Sequence, residues 1–175
     1  VVRAGRRTIL VDTCHGNHKK RRPPVDYAND LNVDYLGNLA RAGLKPEDID
    51  VVLCTHLHFD HIGWNTRLED GRWVPTFPNA RYLISRKDFQ HFEIAHKSAD
   101  SMEAEAFEDS IVPIVRAGQA DLIETEHAVE RELGHGVWIE GAPGHTPGLV
   151  TLHVQAGERK AHRLRRLVAD GQGAG

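Results

Sequence analysis

Two spacings of hydrophobic residues alternate along the chain. Helical spacing predicts a helix over residues 31–42 that Gly43 ends, and a helical region from Ser85 to about Val115 that Pro113 breaks or kinks. Compact apolar runs bounded by polar turns predict six strands, at residues 8–11, 51–54, 81–84, 121–124, 137–139 and 149–154. This mixture of strands and helices predicts a mixed α/β or α+β domain.

Length and charge agree with one soluble domain over residues 1–175. A chain of 175 residues can bury a sizeable core without disulfides or structural metals. The formal net charge of −3 provides no general attraction for nucleic acid, and two basic clusters at residues 19–22 and 159–166 give only a weak indication of it. No apolar run approaches the ~20 residues of a membrane span, and the basic start lacks the apolar segment of a signal peptide. We therefore expect neither a membrane nor a nucleic acid as partner.

A dense group of metal-binding residue types follows the strand predicted at 51–54. His56, His58, Asp60 and His61 lie within six residues. His56 and His58 are two apart, so they point to one side of an extended backbone. Imidazole and carboxylate are the usual ligands of zinc and related divalent ions. The spacing indicates two neighbouring metal positions, although twelve histidines in one chain also produce short-range pairs by chance.

The stretch His56-Leu-His-Phe-Asp-His61 resembles the HxHxDH signature of the metallo-β-lactamase superfamily. Downstream, Ala142-Pro-Gly-His-Thr-Pro-Gly148 resembles the family's glycine-rich loop with its third histidine. The likeness covers roughly residues 9–154 and is strongest to the lactonase and organophosphate-hydrolase-like branch. It implies an αββα sandwich, of which this chain is expected to hold a part because both ends look incomplete.

The resemblance also implies the ligands and the chemistry. His56, His58 and His145 would hold one zinc ion, and Asp60 with His61 would contribute to a second. The implied activity is hydrolysis of a small-molecule ester, lactone or phosphoester by a metal-bound water or hydroxide. Asp60 is also the candidate catalytic residue, because its carboxylate can hold or shuttle a proton. The chain has no Gly-x-Ser-x-Gly motif for a serine nucleophile.

The C-terminal segment departs from the family pattern. The family continues with an aspartate that bridges the two metals and a later histidine, and Asp170 is the only candidate here for the bridging ligand. Residues 159–166 contain five Lys or Arg residues, which is unfavourable for a buried strand. We therefore expect residues 159–175 to form an atypical, poorly ordered tail and the second metal site to be weak or empty. A non-catalytic metal-binding remnant is the alternative function.

Other residues carry less specific signals. Asp12, at the end of a predicted strand, either orients a ligand histidine or caps a turn. Cys14 and Cys54 are expected to be reduced core residues, which favours a cytoplasmic setting. Core packing is the favoured role of Trp64, Trp73 and Phe92 over lining a substrate pocket. No sequence feature indicates an oligomeric state.

Overall fold

The main sheet has five strands, and it places the candidate ligands at one edge. The computed structural model describes residues 1–97, 103–125, 133 and 136–155. In spatial order, the strands are β1 (Val2–Ala4), β2 (Arg7–Val11), β3 (Val51–Cys54), β6 (Arg81–Ser85) and β7 (Ala120–Ile123). β1 is antiparallel to β2, and the other pairs are parallel. Because parallel strands end at the same edge, the segments that follow β2, β3 and β6 meet there.

Two hairpins accompany this sheet. The first consists of β4 (Thr66–Glu69) and β5 (Arg72–Pro75), and the second of β8 (Val137–Gly141) and β9 (Val150–Val154). Asp70 and Gly71 join β4 to β5 with φ angles of 48° and 74°. Two successive positive φ angles are typical of a type I′ hairpin turn, for which Asp-Gly is a preferred sequence.

Five short helices complete the described structure. They are α1 (Tyr35–Arg41), α2 (Phe59–Ile62), α3 (Arg86–His96), α4 (Ala104–Ser110) and α5 (Val112–Arg116). Single 3-10 turns lie at Asp26–Ala28, Pro46–Asp48 and Gly63–Asn65. The Asp34 side chain accepts a hydrogen bond from Gly37 N and the Ser85 side chain one from Asp88 N, so α1 and α3 start at a polar N-cap. No helix in the described part of the chain has the length and apolar character to cross a membrane.

Each face of the main sheet packs against a different layer. On one face, Val52, Tyr82 and Ile84 lie in a core with helix residues that include Phe92 and Phe107. On the other face, the alternate strand residues pack against the second hairpin in a core that includes Val51, Leu53, Leu83, Ile139 and Leu152. This alternation follows from the two-residue period of a strand. The helix–sheet–sheet order agrees with the αββα sandwich expected from the sequence, and the mixed α and β composition is confirmed.

The predicted elements are present with shifted bounds. All six predicted strands occur, displaced by at most two residues at either end. The first helix begins at Tyr35 because the Asp34 cap fixes its start. The region after Ser85 is divided among α3, α4 and α5, with Pro113 in the first turn of α5. The strand β1 and the β4–β5 hairpin were not predicted. Residues 159–175 lie outside the described residues, so the predicted tail and the single-domain boundary stay predictions.

Ion pairs hold the basic cluster at residues 19–22. Lys19 and Arg21 are buried, with relative exposures of 1% and 4%. Arg21 makes two hydrogen bonds to the Asp109 carboxylate, of 2.6 and 3.1 Å, and Lys19 Nζ lies 3.2 Å from the same group. Lys20 pairs with Asp30, and Arg22 pairs with Glu105. Lys19, Arg21 and Arg22 thus attach the loop after β2 to α4.

Lys19 occupies an unusual place in this network. Its Nζ donates to Thr66 Oγ1 at 2.7 Å and lies 3.6 Å from the centre of the Trp73 ring. Burial lowers the pKa of Lys19 to about 8, although the nearby Asp109 opposes this shift. The ammonium group is therefore held in the fold by one carboxylate that it shares with Arg21.

This arrangement predicts how the stability of the fold depends on pH. Between pH 8 and 9.5 the folded chain loses the Lys19 proton while the unfolded chain keeps it, so the unfolded state binds more protons. The free energy of unfolding of the natural chain, relative to Lys19→Met, should therefore rise by about 1 kcal/mol per pH unit. Urea denaturation at several pH values measures this difference. Lys20→Met, at an exposed position, is the matched control, and its free energy of unfolding should rise with pH as in the natural chain. A parallel pH dependence of the natural chain and Lys19→Met would contradict the prediction.

Candidate metal centre

Three imidazoles meet at the edge of the sheet. His56 and His58 follow β3, and His145 lies in the loop between β8 and β9. One ring nitrogen from each lies within 4.8 Å of the others. The ring centroids are 4.6–4.9 Å apart, and the rings are inclined by 71–82°. The structure thus brings together the three residues predicted for the first metal position.

The trio combines one buried and two accessible rings. His56 is 1% exposed, and its Nε2 is buried without a hydrogen-bond partner in the described part of the chain. His58 Nδ1 and His145 Nε2 lie 3.0 Å apart, within hydrogen-bond distance. Phe92 is buried and meets the His58 ring edge-on at 5.6 Å, so its role is packing beneath the trio, as predicted.

A short hydrogen-bond chain sets which nitrogen of His56 carries the proton. Thr55 Oγ1 lies 2.8 Å from Asp12 Oδ2 and 3.1 Å from His56 Nδ1. A carboxylate only accepts, so the single hydroxyl proton of Thr55 goes to Asp12. The contact with His56 must then be donated by Nδ1–H, which leaves the lone pair on the buried Nε2. Sequence reasoning missed Thr55, because nothing but its place beside His56 marks it.

The pKa of His56 agrees with a neutral ring. Burial lowers the pKa to about 3, and the neighbouring His61, His58 and His145 contribute in the same direction. A neutral imidazole with a free Nε2 lone pair is the form that binds a metal. The ring therefore needs no deprotonation at neutral pH to act as a ligand.

Asp60 and His61 lie next to the trio but are already bound to other groups. His61 Nδ1 lies 2.8 Å from Asp12 Oδ2, and His61 Nε2 lies 3.3 Å from Asp60 Oδ2. Burial alone would lower the pKa of His61, but the hydrogen bonds to Asp12 and Asp60 outweigh it and raise the pKa to about 9. Asp12 thus contacts a predicted ligand histidine directly. The carboxylate of Asp12 also accepts from Thr55 N at 2.8 Å, so it fixes the segment that follows β3.

Close backbone contact joins the loop after β2 to the turn after α2. Thr13 N donates a hydrogen bond to His61 O at 2.6 Å, and Gly63 N donates one to Cys14 O at 2.7 Å. A Cβ on Gly63 would lie 1.8 Å from the carbonyl oxygen of His15, so no side chain fits there. The expectation that Cys14 is a core residue is wrong, because Cys14 is exposed. Its backbone, at a φ of 56°, is turned toward Gly63. Cys54 is buried as predicted.

The loop that carries the third histidine is attached to the first turn of α3. The Asp88 carboxylate accepts from Thr146 Oγ1 at 2.9 Å and from Gly148 N at 2.6 Å. Sequence reasoning did not identify Asp88, although Ser85-x-x-Asp88 has the form of a helix start.

Of the remaining residues singled out in the sequence, the two tryptophans pack in the fold and Asp170 lies outside the described residues. Trp64 is buried and stacks on Tyr35 with ring centroids 4.9 Å apart, so packing is its role. Trp73 lies under the Lys19 ammonium group in the loop network. Asp170 lies outside the described residues, and its part in a second metal site stays a prediction.

Comparison with known proteins gives one consistent family. The sequence model described as the metallo-beta-lactamase superfamily matches residues 1–158. The N-acyl homoserine lactonase of Bacillus cereus is 29% identical over 117 residues, which are 67% of this chain and 37% of that protein. The chain therefore spans well under two thirds of that relative.

Solved structures show the same fold. The hydrolase AbOPH of the beta-lactamase superfamily aligns with a TM-score of 0.63 and 24% identity, over 87% of this chain and 49% of that one. AidC, a dizinc quorum-quenching lactonase in complex with a product, aligns with a TM-score of 0.59 and 24% identity, over 90% and 52%. The resemblance inferred from the sequence motifs is confirmed.

The Gly63 contact predicts a large steric effect on stability. Gly63 has an ordinary helical φ of −62°, so alanine would suit its backbone angle but not the surrounding space. Gly63→Ala should lower the free energy of unfolding by about 3 kcal/mol, because backbone on the opposite side cannot yield. Urea denaturation measures the change. The matched control is Gly118→Ala, whose Cβ meets nothing within 4 Å and which should lose about 1 kcal/mol from its positive φ; equal losses would contradict the steric account.

Proposed function

The chain belongs to the metallo-β-lactamase superfamily, and we propose that it is a zinc-dependent hydrolase of small esters, with lactones as the first candidate substrates. The observation that carries this proposal is the buried Nε2 of His56, which has no hydrogen-bond partner among the described residues and belongs to a ring 4.8 and 4.9 Å from the rings of His58 and His145. A buried polar atom without a partner costs about 1–3 kcal/mol. A metal ion coordinated by this atom would remove that cost.

The residues of the trio fit a zinc ion. Three imidazoles with one open position are a known ligand set of catalytic zinc. Two nitrogens that bind the same zinc are at most about 4 Å apart, so the trio needs only a small closure from its present spread of 4.8 Å. When bound, zinc supplies Lewis acidity that lowers the pKa of water and polarises a carbonyl or phosphoryl oxygen.

The protein side chains provide the proton transfer and the positioning. Asp60 is the proposed proton carrier, because its carboxylate is partly exposed beside His61, whereas the carboxylate of Asp12 already accepts hydrogen bonds from Thr55 and contacts His61. Asp60 would take a proton from the attacking water and deliver it to the leaving-group oxygen. His61, held by Asp12, would keep the Asp60 carboxylate oriented during this transfer.

The relatives support lactones as the proposed substrate class. The Bacillus cereus relative is an N-acyl homoserine lactonase, and AidC is a quorum-quenching lactonase. A lactone is a cyclic ester. A metal can polarise its carbonyl oxygen, and hydrolysis then needs no side-chain nucleophile. Phosphoesters are the second candidate, since the same Lewis acidity acts on a phosphoryl oxygen. A reducing compartment such as the cytoplasm is part of the proposal, because Cys14 and Cys54 are both free.

The second metal position is proposed to be weak. Both nitrogens of His61 lie within contact distance of carboxylates, and one of these carboxylates is the other proposed ligand, Asp60. A second ion would have to displace the contact between Asp60 and His61, whereas the first would fill an unpartnered position at His56. This supports retention of one ion. It also keeps a binding protein without turnover as the second candidate function.

The metal proposal predicts the stoichiometry of bound zinc. The purified chain should retain about one zinc ion, and His58→Ala should abolish retention because two imidazoles alone do not make a stable zinc site. Metal analysis after exhaustive dialysis measures the content. His18→Ala, at an exposed loop residue, is the control and should leave it unchanged. Zinc content that is the same in His58→Ala would overturn the ligand assignment.

The catalytic proposal predicts a metal-dependent lactonase. Hydrolysis of N-hexanoyl homoserine lactone should stop on chelation and return with added zinc, because no side-chain nucleophile replaces the metal. Asp60→Asn should lower kcat by at least about 100-fold, the usual size of a general acid–base contribution. A pH-stat assay measures both effects. Activity that survives verified metal removal would rule out the mechanism, and zinc binding without hydrolysis of lactones or phosphotriesters would favour the non-catalytic function.

A further inference from the structure

One buried carboxylate binds the backbone on both sides of the histidine trio. Asp88 is fully buried in the first turn of α3. Thr146 Oγ1 and Gly148 N donate hydrogen bonds to the carboxylate, and a third donor, the backbone N–H of Leu57, favours its charged form. Leu57 lies between His56 and His58, and Thr146 directly follows His145. One side chain therefore connects the two segments that carry the three candidate ligands.

We propose that Asp88 is the positioning residue of the metal site, which fixes the distance between the His56–His58 segment and the His145 loop. This inference rests on the proposed function, because it concerns the same three histidines. Asp88 does not touch the trio itself. It acts through the backbone of Leu57 and Gly148 and through the hydroxyl group of Thr146.

The chemistry of the contact requires a carboxylate. Two groups donate hydrogen bonds to Asp88, one to each oxygen, and an ionised carboxyl group is a side chain that accepts at both oxygens and donates nothing. Burial raises the pKa of Asp88, while Thr146, Gly148 and Leu57 favour its charged form. An amide of the same shape has no charge and accepts at one oxygen only. The Thr146 hydroxyl group can accept from the new NH₂ group but the backbone N–H groups cannot, so Asp88→Asn weakens the connection without changing the volume.

The packing around Asp88 leaves the His145 loop little freedom. A Cβ on Gly148 would lie 2.3 Å from Ser85 Oγ and 2.5 Å from Asp88 N, so the loop backbone lies directly on the start of α3. One turn further along α3, Phe92 contacts the His58 ring. Residues four apart share a helix face. The same face of α3 thus supports the His145 loop through Asp88 and the His58 ring through Phe92.

A purely structural role for Asp88 predicts a different outcome from a positioning role. Ser85 Oγ accepts from Asp88 N at 3.4 Å and caps the helix. Ser85→Ala removes this cap and leaves the carboxylate with its three donors. It therefore lowers stability by about 1 kcal/mol without separating the two ligand segments, and it is the matched control.

The experiment measures metal affinity and coordination. Zinc dissociation constants come from competition with a chromogenic chelator, and visible spectra of the Co²⁺-loaded chain report coordination geometry. Asp88→Asn should weaken zinc binding 10- to 100-fold, the range for residues that orient metal ligands, and should change the Co²⁺ spectrum. Thr146→Val should weaken binding by a smaller factor, Thr146→Ser should restore it, and Ser85→Ala should bind like the natural chain.

Each outcome decides the inference. Natural-chain affinity in both Asp88→Asn and Thr146→Val would overturn it and leave the proposed function intact. Equal loss of affinity in Ser85→Ala and Asp88→Asn would also overturn it, because binding would then follow helix stability. A natural chain that binds neither zinc nor Co²⁺ would overturn the proposed function and this inference together. If Asp88→Asn does not fold, the comparison of Thr146→Val with Thr146→Ser decides.

Discussion

The site depends on carboxylates that bind donors from distant segments at the edge of the main sheet. Asp12 binds Thr55 and His61, and Asp88 binds the loop that carries His145. Asp109 pairs with Lys19 and Arg21 and so attaches the loop after β2 to α4. Removing one partner of such a buried charged contact costs about 3–5 kcal/mol, because the other is left unpaired. The fold therefore constrains these loops strongly, although they are irregular in structure.

Charge separates the two candidate metal positions. The trio contains a buried His56 that stays neutral, so this ring adds no positive charge beside His58 and His145. Asp60 and His61 form the opposite arrangement, in which a histidine lies between two carboxylates and is stabilised in its charged form. The first position has an acceptor atom with no hydrogen-bond partner among the described residues, and the second has groups that already satisfy one another. The difference in expected metal occupancy follows from these hydrogen bonds rather than from the number of ligands alone.

The sequence predicted the elements and the trio because both depend on local patterns. Apolar runs marked the strands. Because β2, β3 and β6 are parallel, their carboxyl ends meet at one edge of the sheet whatever the conformation of the loops that follow. The Asp70-Gly71 hairpin signal was present but was not used. Burial of Lys19 and Arg21 could not be predicted, because their partner Asp109 lies about ninety residues away and only the fold brings it near. Asp88 was missed for the same reason: a helix-start carboxylate looks the same whether it caps its own helix or binds another loop.

The position of the trio gives metal binding a structural consequence. His56 and His58 lie in the segment that follows β3 of the main sheet, whereas His145 lies in the loop of the β8–β9 hairpin, which packs on the opposite face from the helices. An ion held by all three would connect the two sheets at a point where only backbone and side-chain contacts now join them, such as the bond from Val150 N to Thr55 O at 2.9 Å. A ligand that binds only the folded state stabilises it by RT ln(1 + [L]/Kd), about 2.7 kcal/mol at a hundredfold excess over Kd. Because the hairpin has only two strands in the described chain, much of that stabilisation would act on its attachment to the main sheet. Asp88 would keep the His145 loop close enough to His56 and His58 for the ion to bind.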